Sequence, residues 1–589
     1  MPRTTRDQGV VTGLATAAHY GIAAVIQGSI EEVARRVAGR RADDERPARE
    51  RRAVLIGDLA AMAAGFAAER ALRRRDGEAL ARGALRTAAH WLGVVAFSGL
   101  AVGLVEEAAG GEVPLVGLPA GTAMASGLAF RRRRREQAQP GATAEASHVS
   151  GAKALGIGLG VGATAAGMAL VEGRLAAAAG RAFGSVLPGD ERTWRLAGHA
   201  WALSALGIPA AVLVHRWYGR IEAGAERVEE AFDTPPASGL VSGGPGSPVG
   251  WATLGRQGRR NVSTAVRPAW IEAVMGEPAV AEPIRVYVGL DSAPTEQERV
   301  DLAMRELERA GAFDRDLLLV VTPTGTGYVA YVVVESAEYL SKGSVASVAL
   351  QYSLRPSVLS VDRVGVGRRQ TRLLLERLRD RLGTSGRRPR VALYGESLGA
   401  LAAQGAFEGR GAAGPAELGV DRALWAGTPG FARWREEVAP GGSPVDPAVG
   451  VFDRFEQVEA LEPKARSRLR FVFLTHDEDP VAKFGLELLV RAPDWLGPPA
   501  TRPPGVPRSE TWQTPTTFLQ TLVDMKNSVD LAPGHFDARG HDYRGEAARF
   551  VREVFALPAT DGQLAAVEAA LRRFETARAV RIRGTDHTA

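Results

Sequence analysis

The sequence predicts an α-helical membrane domain followed by an α/β domain with a mostly parallel sheet. The first half contains long apolar runs with few charges, and most reach the roughly 20 residues that a membrane-spanning helix needs. The second half, after about residue 260, alternates short continuous apolar runs with amphipathic stretches. That alternation is typical of parallel strands covered by helices on both faces. At 589 residues, the chain is long enough for two or more domains.

The apolar runs of the first half define six candidate membrane spans. They are rich in Ala and Gly and apolar all round, whereas the helices of a soluble bundle carry a polar face. Small residues also allow spanning helices to pack closely. Six buried helices of a soluble bundle are the alternative interpretation. The candidate spans are 10–30, 53–70, 87–105, 113–130, 154–171 and 196–214.

Segments rich in Pro, Gly and Ser mark the change between the two halves. The five arginines at 131–135 predict a cytoplasmic loop. This orientation places the α/β domain on the cytoplasmic side of the plasma membrane, although the arginine-rich loop at 31–52 conflicts with it. The expected division is a multi-span domain over 1–230, a linker over 231–260, an α/β domain over 261–560 and a helical or polar tail over 561–589.

The composition excludes several classes of chemistry. The chain has no cysteine, which removes disulfides, thiolate nucleophiles and Cys-ligated metals. The net charge of +6 is small for the length, and the arginines punctuate apolar runs instead of alternating with aromatics. This pattern argues against nucleic-acid binding. We expect neither a cofactor nor a metal ion.

Residues 388–404, RPRVALYGESLGALAAQ, suggest an activated serine. An apolar strand runs into GESLG at 395–399 and an Ala-rich helix follows, which is the strand–turn–helix setting of a nucleophile elbow. The glycines permit a tight turn that holds the Ser397 hydroxyl above the sheet. The amide of Leu398, at the helix N-terminus, then points toward a developing oxyanion. A structural turn that happens to contain a serine is the alternative.

An acid for Ser397 is expected at the end of a late strand. The run LRFVFLT leads into HDEDPV at 476–481. There Asp479 precedes a proline, whose ring biases the residue before it away from helix and fixes the loop. Asp477 is the competing carboxylate, and its ordinary interpretation is a solvated loop charge.

A histidine base is expected after the acid. His541 stands at the entrance of the last amphipathic helix of the α/β domain. His535, six residues earlier, is the alternative base or an ordinary loop histidine. His476 precedes the acid and is expected to lie behind it, and His587 lies in a polar tail.

The glycine-rich loop PTGTGY at 323–328 follows a strand-like run and is expected to provide the second oxyanion donor. Its small residues allow close backbone approach to a reacting oxygen. The candidates are Thr324, Gly325 and Thr326, with Gly327 beside them. Because no G-K-[ST] follows, a phosphate cradle is not expected.

Taken together, these stretches resemble bacterial membrane-anchored α/β-hydrolases, in which a multi-span N-terminal domain is fused to an α/β-hydrolase catalytic domain. The resemblance implies that Ser397, Asp479 and His541 form the catalytic triad, and it favours His541 over His535. The matching stretches are 251–260, 286–293, 308–328, 338–360, 394–401, 476–481 and 540–543.

The expected function is therefore a membrane-anchored serine hydrolase of the carboxylesterase, lipase or thioesterase type. The expected substrate is an acyl ester or thioester, such as a lipid or acyl group reached from the bilayer. An acyltransferase with the same triad is one alternative. A transporter or sensor with a catalytically silent hydrolase-fold domain is another, because polar groups within spans often line a pathway. The polar residues in the apolar runs are Asp58, His19, His90 and His199.

Overall fold

A computed structural model divides the chain into two compact units. The first comprises residues 1–209 and 484–527, and the second comprises 210–483 and 528–589. The residues that the structure describes are 4–38, 46–75, 78–109, 151–188, 193–194, 197–202, 204–205, 208, 216, 228–355, 360–383, 388–508, 510–528, 532–537 and 539–586.

The helices and strands follow in chain order. The helices are α1 (Thr5–Ala38), α2 (Arg46–Ala71), α3 (Leu80–Ala109), α4 (Gly151–Val186), α5 (Gly255–Ser263), α6 (Pro268–Met275), α7 (Glu296–Arg309), α8 (Tyr331–Leu340), α9 (Val364–Gly383), α10 (Leu398–Gly405), α11 (Gly414–Glu417), α12 (Arg433–Val438), α13 (Phe455–Glu459), α14 (Pro463–Arg466), α15 (Pro480–Lys483), α16 (Thr516–Asn527), α17 (Arg544–Val554) and α18 (Asp561–Asp586). The strands are β1 (Ile284–Val288), β2 (Leu317–Thr322), β3 (Val345–Leu350), β4 (Arg390–Glu396), β5 (Arg422–Ala426), β6 (Val449–Phe452) and β7 (Phe471–Leu474).

The first unit contains the long apolar helices. In the described part of the chain, two helical stretches are long and apolar enough to cross a membrane, Thr5–Ala34 and Leu80–Ala108. They cover the predicted spans 10–30 and 87–105. By length and composition alone they are weak evidence for membrane association, and they support neither six spans nor a cytoplasmic orientation. Candidate span 113–130 and most of 196–214 lie outside the described residues.

Residues 484–527 belong to the first unit, although the sequence prediction assigned them to the α/β domain. The Thr87 hydroxyl of α3 donates to the carbonyl of Val490 at 2.6 Å. At the other end of the segment, the Asn527 amide donates to the Asp7 carboxylate at 3.2 Å. The segment is rich in proline, with seven prolines in its 44 residues, but proline content does not show which unit a segment packs against.

The second unit is built on a seven-stranded parallel sheet in the order β1-β3-β2-β4-β5-β7-β6. Apolar side chains fill both faces of its central strands, and helices pack on both sides. The carboxyl ends of β2, β4 and β5 lie together, since Thr322 pairs with Gly395 and Glu396 pairs with Ala426. This architecture fits the predicted α/β-hydrolase fold.

Two segments of the second unit, predicted as a linker and a tail, contribute buried side chains to it. Residues 231–260, expected to form a linker, place Val241, Val249 and Leu254 in the core of the unit. Residues 561–589, expected to form a helical or polar tail, begin with the long helix α18. That helix buries Leu564, Val567 and Leu571. Burial of these apolar side chains holds both segments on the domain despite their polar composition.

Candidate active site

Ser397 lies in a strained turn between β4 and α10. Its φ is 55° and its ψ is −124°, a region that non-glycine residues seldom occupy. The amide of Ser397 donates to the carbonyl of Ala426 at 2.9 Å, so the turn is anchored to the end of β5. The chain therefore forms the strand–turn–helix arrangement that the sequence predicted.

The two flanking glycines leave no room for a side chain. A β-carbon on Gly395 would lie 2.8 Å from the Cα atom of Ala400. A β-carbon on Gly399 would collide with the carbonyl oxygen of Thr322 and lie 2.6 Å from that of Pro323. The loop after β2 consequently packs directly against the start of α10.

Asp479, just before α15, is completely buried and accepts three hydrogen bonds. The donors are Nδ1 of His541 at 2.8 Å, the Tyr543 hydroxyl at 2.5 Å and the amide of Val481 at 2.8 Å. Burial opposes ionisation of this carboxyl group, but His541 and the hydrogen-bond donors outweigh it and hold the pKa of Asp479 below its usual range. Asp479 is thus a carboxylate, and Nδ1 of His541 carries the proton.

His541 lies on the loop before α17 and is 7% exposed. Its imidazole packs on the backbone of Gly427, where a β-carbon would lie 2.5 Å from Cε1 of His541. Gly427 follows Ala426, the residue that accepts the Ser397 amide, so the end of β5 touches both residues. Burial lowers the pKa of His541, but the Asp479 carboxylate outweighs burial and raises it above its usual value.

The alternative acid Asp477 and the alternative base His535 have other partners. The amide of Asp477 donates to Asp453 at 2.6 Å, and burial next to Asp453 raises the pKa of Asp477 to about 6. The side chain of His535 is 74% exposed and pairs with Asp537. His587 lies outside the described residues. Among these candidates, only Asp479 and His541 meet in the described part of the chain.

His476 is buried behind the pair, as expected from its position before Asp479. Its Nδ1 lies 2.9 Å from the carbonyl oxygen of Gly540, and its Nε2 lies 3.0 Å from the Glu546 carboxylate. Its ring also stacks on Tyr543 at a centroid distance of 4.4 Å. His476 therefore ties the end of β7 to the residue that precedes His541.

Two residues of the site were not singled out from the sequence. Tyr543 donates to Asp479, and the only signal for it was its place in the G-H-D-Y stretch. Glu396, next to Ser397, accepts from the Tyr394 hydroxyl at 2.7 Å. Burial raises the pKa of Glu396, although His541 nearby acts in the opposite direction. The contact of Tyr543 with Asp479 and the effect of His541 on Glu396 both join segments that are distant in sequence.

The glycine-rich loop after β2 is held by its carbonyl groups. The Tyr287 hydroxyl donates to the carbonyl of Gly327 at 2.8 Å, and the Gln351 amide donates to that of Thr326 at 3.2 Å. Within the loop, the amide of Gly327 donates to the carbonyl of Thr324 at 2.9 Å. These bonds fix the direction of the peptide groups.

The amides of Gly325, Thr326 and Leu398 have no acceptor among the described residues. Since Gly399 packs on Thr322 and Pro323, the loop and the start of α10 are neighbours. Backbone N–H groups of this kind are suited to bind an oxyanion. No group of three or more His, Asp or Glu side chains that could hold a metal ion occurs in the described residues.

A parallel sheet with a strained serine at the end of β4 defines a protein of the α/β-hydrolase fold. Comparison with protein-family models gives two matches. One, described as alpha/beta-hydrolase family, matches residues 284–567, and the other, described as alpha/beta-hydrolase family N-terminus, matches residues 108–265. The chain belongs to this alpha/beta-hydrolase family. Searches of curated proteins and of solved structures gave no match.

Proposed function

We propose that the protein is a membrane-associated serine hydrolase that cleaves an ester or thioester through an acyl-enzyme at Ser397. The observation that carries this proposal is the 2.8 Å hydrogen bond between His541 and Asp479. The His541–Asp479 pair lies at the same edge of the sheet as Ser397, whose φ is 55°. A buried carboxylate–imidazole pair beside a strained serine is the arrangement that nucleophilic acyl transfer needs.

The proposed reaction has two halves. The Ser397 hydroxyl oxygen attacks the acyl carbonyl while Nε2 of His541 takes the hydroxyl proton. The tetrahedral intermediate collapses, and the leaving alcohol or thiol receives that proton from His541. Water then attacks the acyl-enzyme with His541 as base, and the acid and free Ser397 are released. Asp479 keeps Nδ1 protonated and stabilises the imidazolium in both halves.

The amide of Leu398 and an amide of Gly325 or Thr326 are the proposed oxyanion donors. They are backbone groups fixed before substrate binds, so they need no reorganisation as negative charge develops. The amide of Thr324 already donates to the carbonyl of Tyr328 at 2.9 Å, so Thr324 is not a proposed donor. Its carbonyl accepts from the amide of Gly327 at 2.9 Å and fixes the loop.

A lipid or other long-chain acyl substrate is proposed from the first unit. The apolar helices α1 and α3 expose large side chains such as Val25, Phe97 and Leu104. Extended exposed apolar surfaces mark membrane or protein contacts. Association with the plasma membrane, with the second unit in the cytoplasm, would give the hydrolase access to lipid esters. Resistance of the full chain to alkaline carbonate extraction tests the membrane association.

A fluorophosphonate probe tests the proposed activity. The wild-type protein should be labelled, Ser397→Ala should not, and Ser467→Ala, which alters an exposed serine, should be labelled like wild type. Equal labelling of wild type and Ser397→Ala would contradict the proposal. A panel of esters and thioesters with increasing acyl length, with and without acceptor alcohols, would then separate hydrolysis from acyl transfer and define the chain length.

The transporter or sensor alternative gains little from the polar residues that suggested it. His90 pairs with Glu69 at 3.1 Å and His199 pairs with Glu172 at 2.9 Å, so structural contacts account for both histidines. Nε2 of His19 lies 3.0 Å from the carbonyl oxygen of Thr514. If the Ser397→Ala variant keeps the cellular function while Asp58→Asn abolishes it, this alternative replaces the hydrolase proposal.

A further inference from the structure

Helix α18 is fastened to the loop that carries His541 through one carboxylate. Glu575 accepts from Nη1 of Arg544 at 2.5 Å, from the amide of Gly534 at 2.5 Å and from the Tyr331 hydroxyl. The Glu575 side chain is only 14% exposed. Glu575 lies beyond the family-model match, which ends at residue 567.

Arg544 connects Glu575 to the residue next to His541. Its Nε and Nη2 atoms donate to the two carboxylate oxygens of Asp542, both at 2.8 Å. Its Nη2 also donates to the carbonyl of His535 at 2.9 Å. The Arg544 side chain is 10% exposed, so its bonds are shielded from competing water. Asp542 in turn accepts from the amide of Asp537 at 3.2 Å.

We propose that Glu575 is a positioning residue for His541. It holds both ends of the His541 loop, at Gly534 directly and at Asp542 through Arg544. Without this carboxylate, the Gly534 amide loses its acceptor, and Nη1 of Arg544 keeps only the carbonyl of Ala532 at 3.4 Å. Because both donors are partly buried, the loss of this acceptor favours another arrangement of the loop. A shift of about 1 Å in a catalytic group can slow a reaction about 100-fold.

Other contacts keep α18 docked when Glu575 is changed. Leu564, Val567 and Leu571 are buried in the core. Arg549 of α17 also donates to Glu568 of α18 at 3.0 Å. The Arg549–Glu568 pair joins the same two helices as Arg544–Glu575, and its bonds involve neither Gly534 nor Asp542. Glu568→Ala is therefore a matched control for a purely structural effect.

The test uses the full chain and rests on the proposed function. The second-order rate of fluorophosphonate labelling and the melting temperature are measured for wild type, Glu575→Ala, Glu575→Gln and Glu568→Ala. We expect Glu575→Ala to slow labelling about 10- to 100-fold, and Glu568→Ala to label like wild type with a similar change in melting temperature. Glu575→Gln, which keeps an oxygen acceptor for Arg544 and Tyr331, should be intermediate. With an ester substrate, kcat should fall and KM should change little.

Three results would overturn the proposal. Glu575→Ala could label as fast as wild type, or Glu568→Ala could be slowed equally, which would reveal only a structural role. If Glu575→Ala does not fold, Glu575→Gln decides, and a wild-type rate for that variant rejects the positioning role. Failure of the wild type itself to label would instead reject the proposed hydrolase function, and the role of Glu575 with it.

Discussion

Ser397 has a φ of 55°, and three packing and hydrogen-bond contacts around it hold the backbone in this conformation. Gly395 is pressed against the backbone of Ala400, and Gly399 against the carbonyl groups at the end of β2. The amide of Ser397 is meanwhile held by Ala426. A left-handed serine is unfavourable by about 1–3 kcal/mol unless such contacts fix it, so the local fold maintains a strained nucleophile.

Replacing Gly399 tests this packing. Gly399→Ala places a methyl group against two backbone carbonyl oxygens, which cannot move away as a flexible side chain could. We therefore expect a loss of about 1–3 kcal/mol in the free energy of unfolding. Urea unfolding measures it. In Gly365→Ala, the added methyl meets nothing closer than Nη1 of Arg369 at 3.6 Å, so stability should stay the same or rise slightly. Equal stability of Gly399→Ala and wild type would contradict the close packing.

Glu396 provides a pH test of the base. His541 must be neutral to accept the Ser397 proton, and its pKa is raised by Asp479 and, more weakly, by Glu396. The acidic limb of kcat/KM should therefore lie above about pH 6.5, the ordinary value for histidine. Glu396→Gln removes a negative charge that favours the imidazolium, so it lowers the pKa of His541 and moves the limb to lower pH.

The control for this measurement is Glu417→Gln, which changes an exposed carboxylate paired with Arg410. Its pH profile should match that of wild type. An acidic limb that stays in place in Glu396→Gln, or that moves equally in Glu417→Gln, would show that Glu396 does not act on His541.

For individual residues, the sequence was sufficient to predict the site residues that can be recognised from their order along the chain. Ser397, Asp479 and His541 stand in the order that the fold requires, each next to a recognisable strand or helix. Tyr543 and Gly427 could not be found in that way. Their contacts with Asp479 and His541 arise only when β5, β7 and the loop before α17 meet.

Among the elements, β1 to β5 follow five apolar runs that predict strands, and their bounds agree to within a residue or two. These runs are 284–289, 317–322, 345–351, 390–394 and 422–426, and β7 lies inside the run LRFVFLT. The missed strand, β6, has only four residues, VGVF, and lies at the edge of the sheet. A run of four residues is too short to show the spacing of apolar residues that distinguishes a strand from a helix. The strand order β1-β3-β2-β4-β5-β7-β6 was also beyond a single sequence, because it depends on contacts between distant segments.

The contact between β1 and α8 includes a buried ion pair. Arg285 of β1 donates from Nε and Nη2 to the two oxygens of Glu338 on α8, at 2.6 and 2.8 Å. Both side chains are fully buried. Glu338→Ala leaves the arginine charge without its carboxylate, and we expect a loss of about 3–5 kcal/mol in the free energy of unfolding.

Denaturant unfolding of Glu338→Ala and Glu308→Ala measures the difference between a buried and an exposed pair. Glu308 pairs with Arg381 at 2.8 Å on the surface, and its loss should be worth at most about 1 kcal/mol. Similar losses in the two variants would mean that Arg285 finds another partner or water.

At the scale of the whole molecule, residues 484–527 are the main departure from the expected organisation. In sequence they lie between Asp479 and His541, yet they pack with the helices of the first unit. Besides the bonds of Thr87 and Asn527, Arg491 donates to the carbonyl of Glu78 at 3.2 Å. The sequence could not show this exchange, since the segment is held by contacts with helices that are distant in sequence.

Limited proteolysis tests that packing. A fragment over 228–586 lacks the helices that cover 484–527, so protease should cut within 484–527 faster in the fragment than in the full chain. Mass spectrometry identifies the cuts, and cleavage within 390–483 serves as the internal control. Equal cutting of 484–527 in the two proteins would show that the first-unit helices do not protect this segment.

If Ser397 is the nucleophile, it becomes acylated during the reaction, and locating a covalent adduct tests this directly. The full chain is treated with a fluorophosphonate, digested and analysed by tandem mass spectrometry. We expect one adduct, on the serine of the peptide that contains YGESLGAL at 394–401, and a slower reaction as pH falls below the pKa of His541. An adduct on another residue, or none in the folded protein, would contradict it.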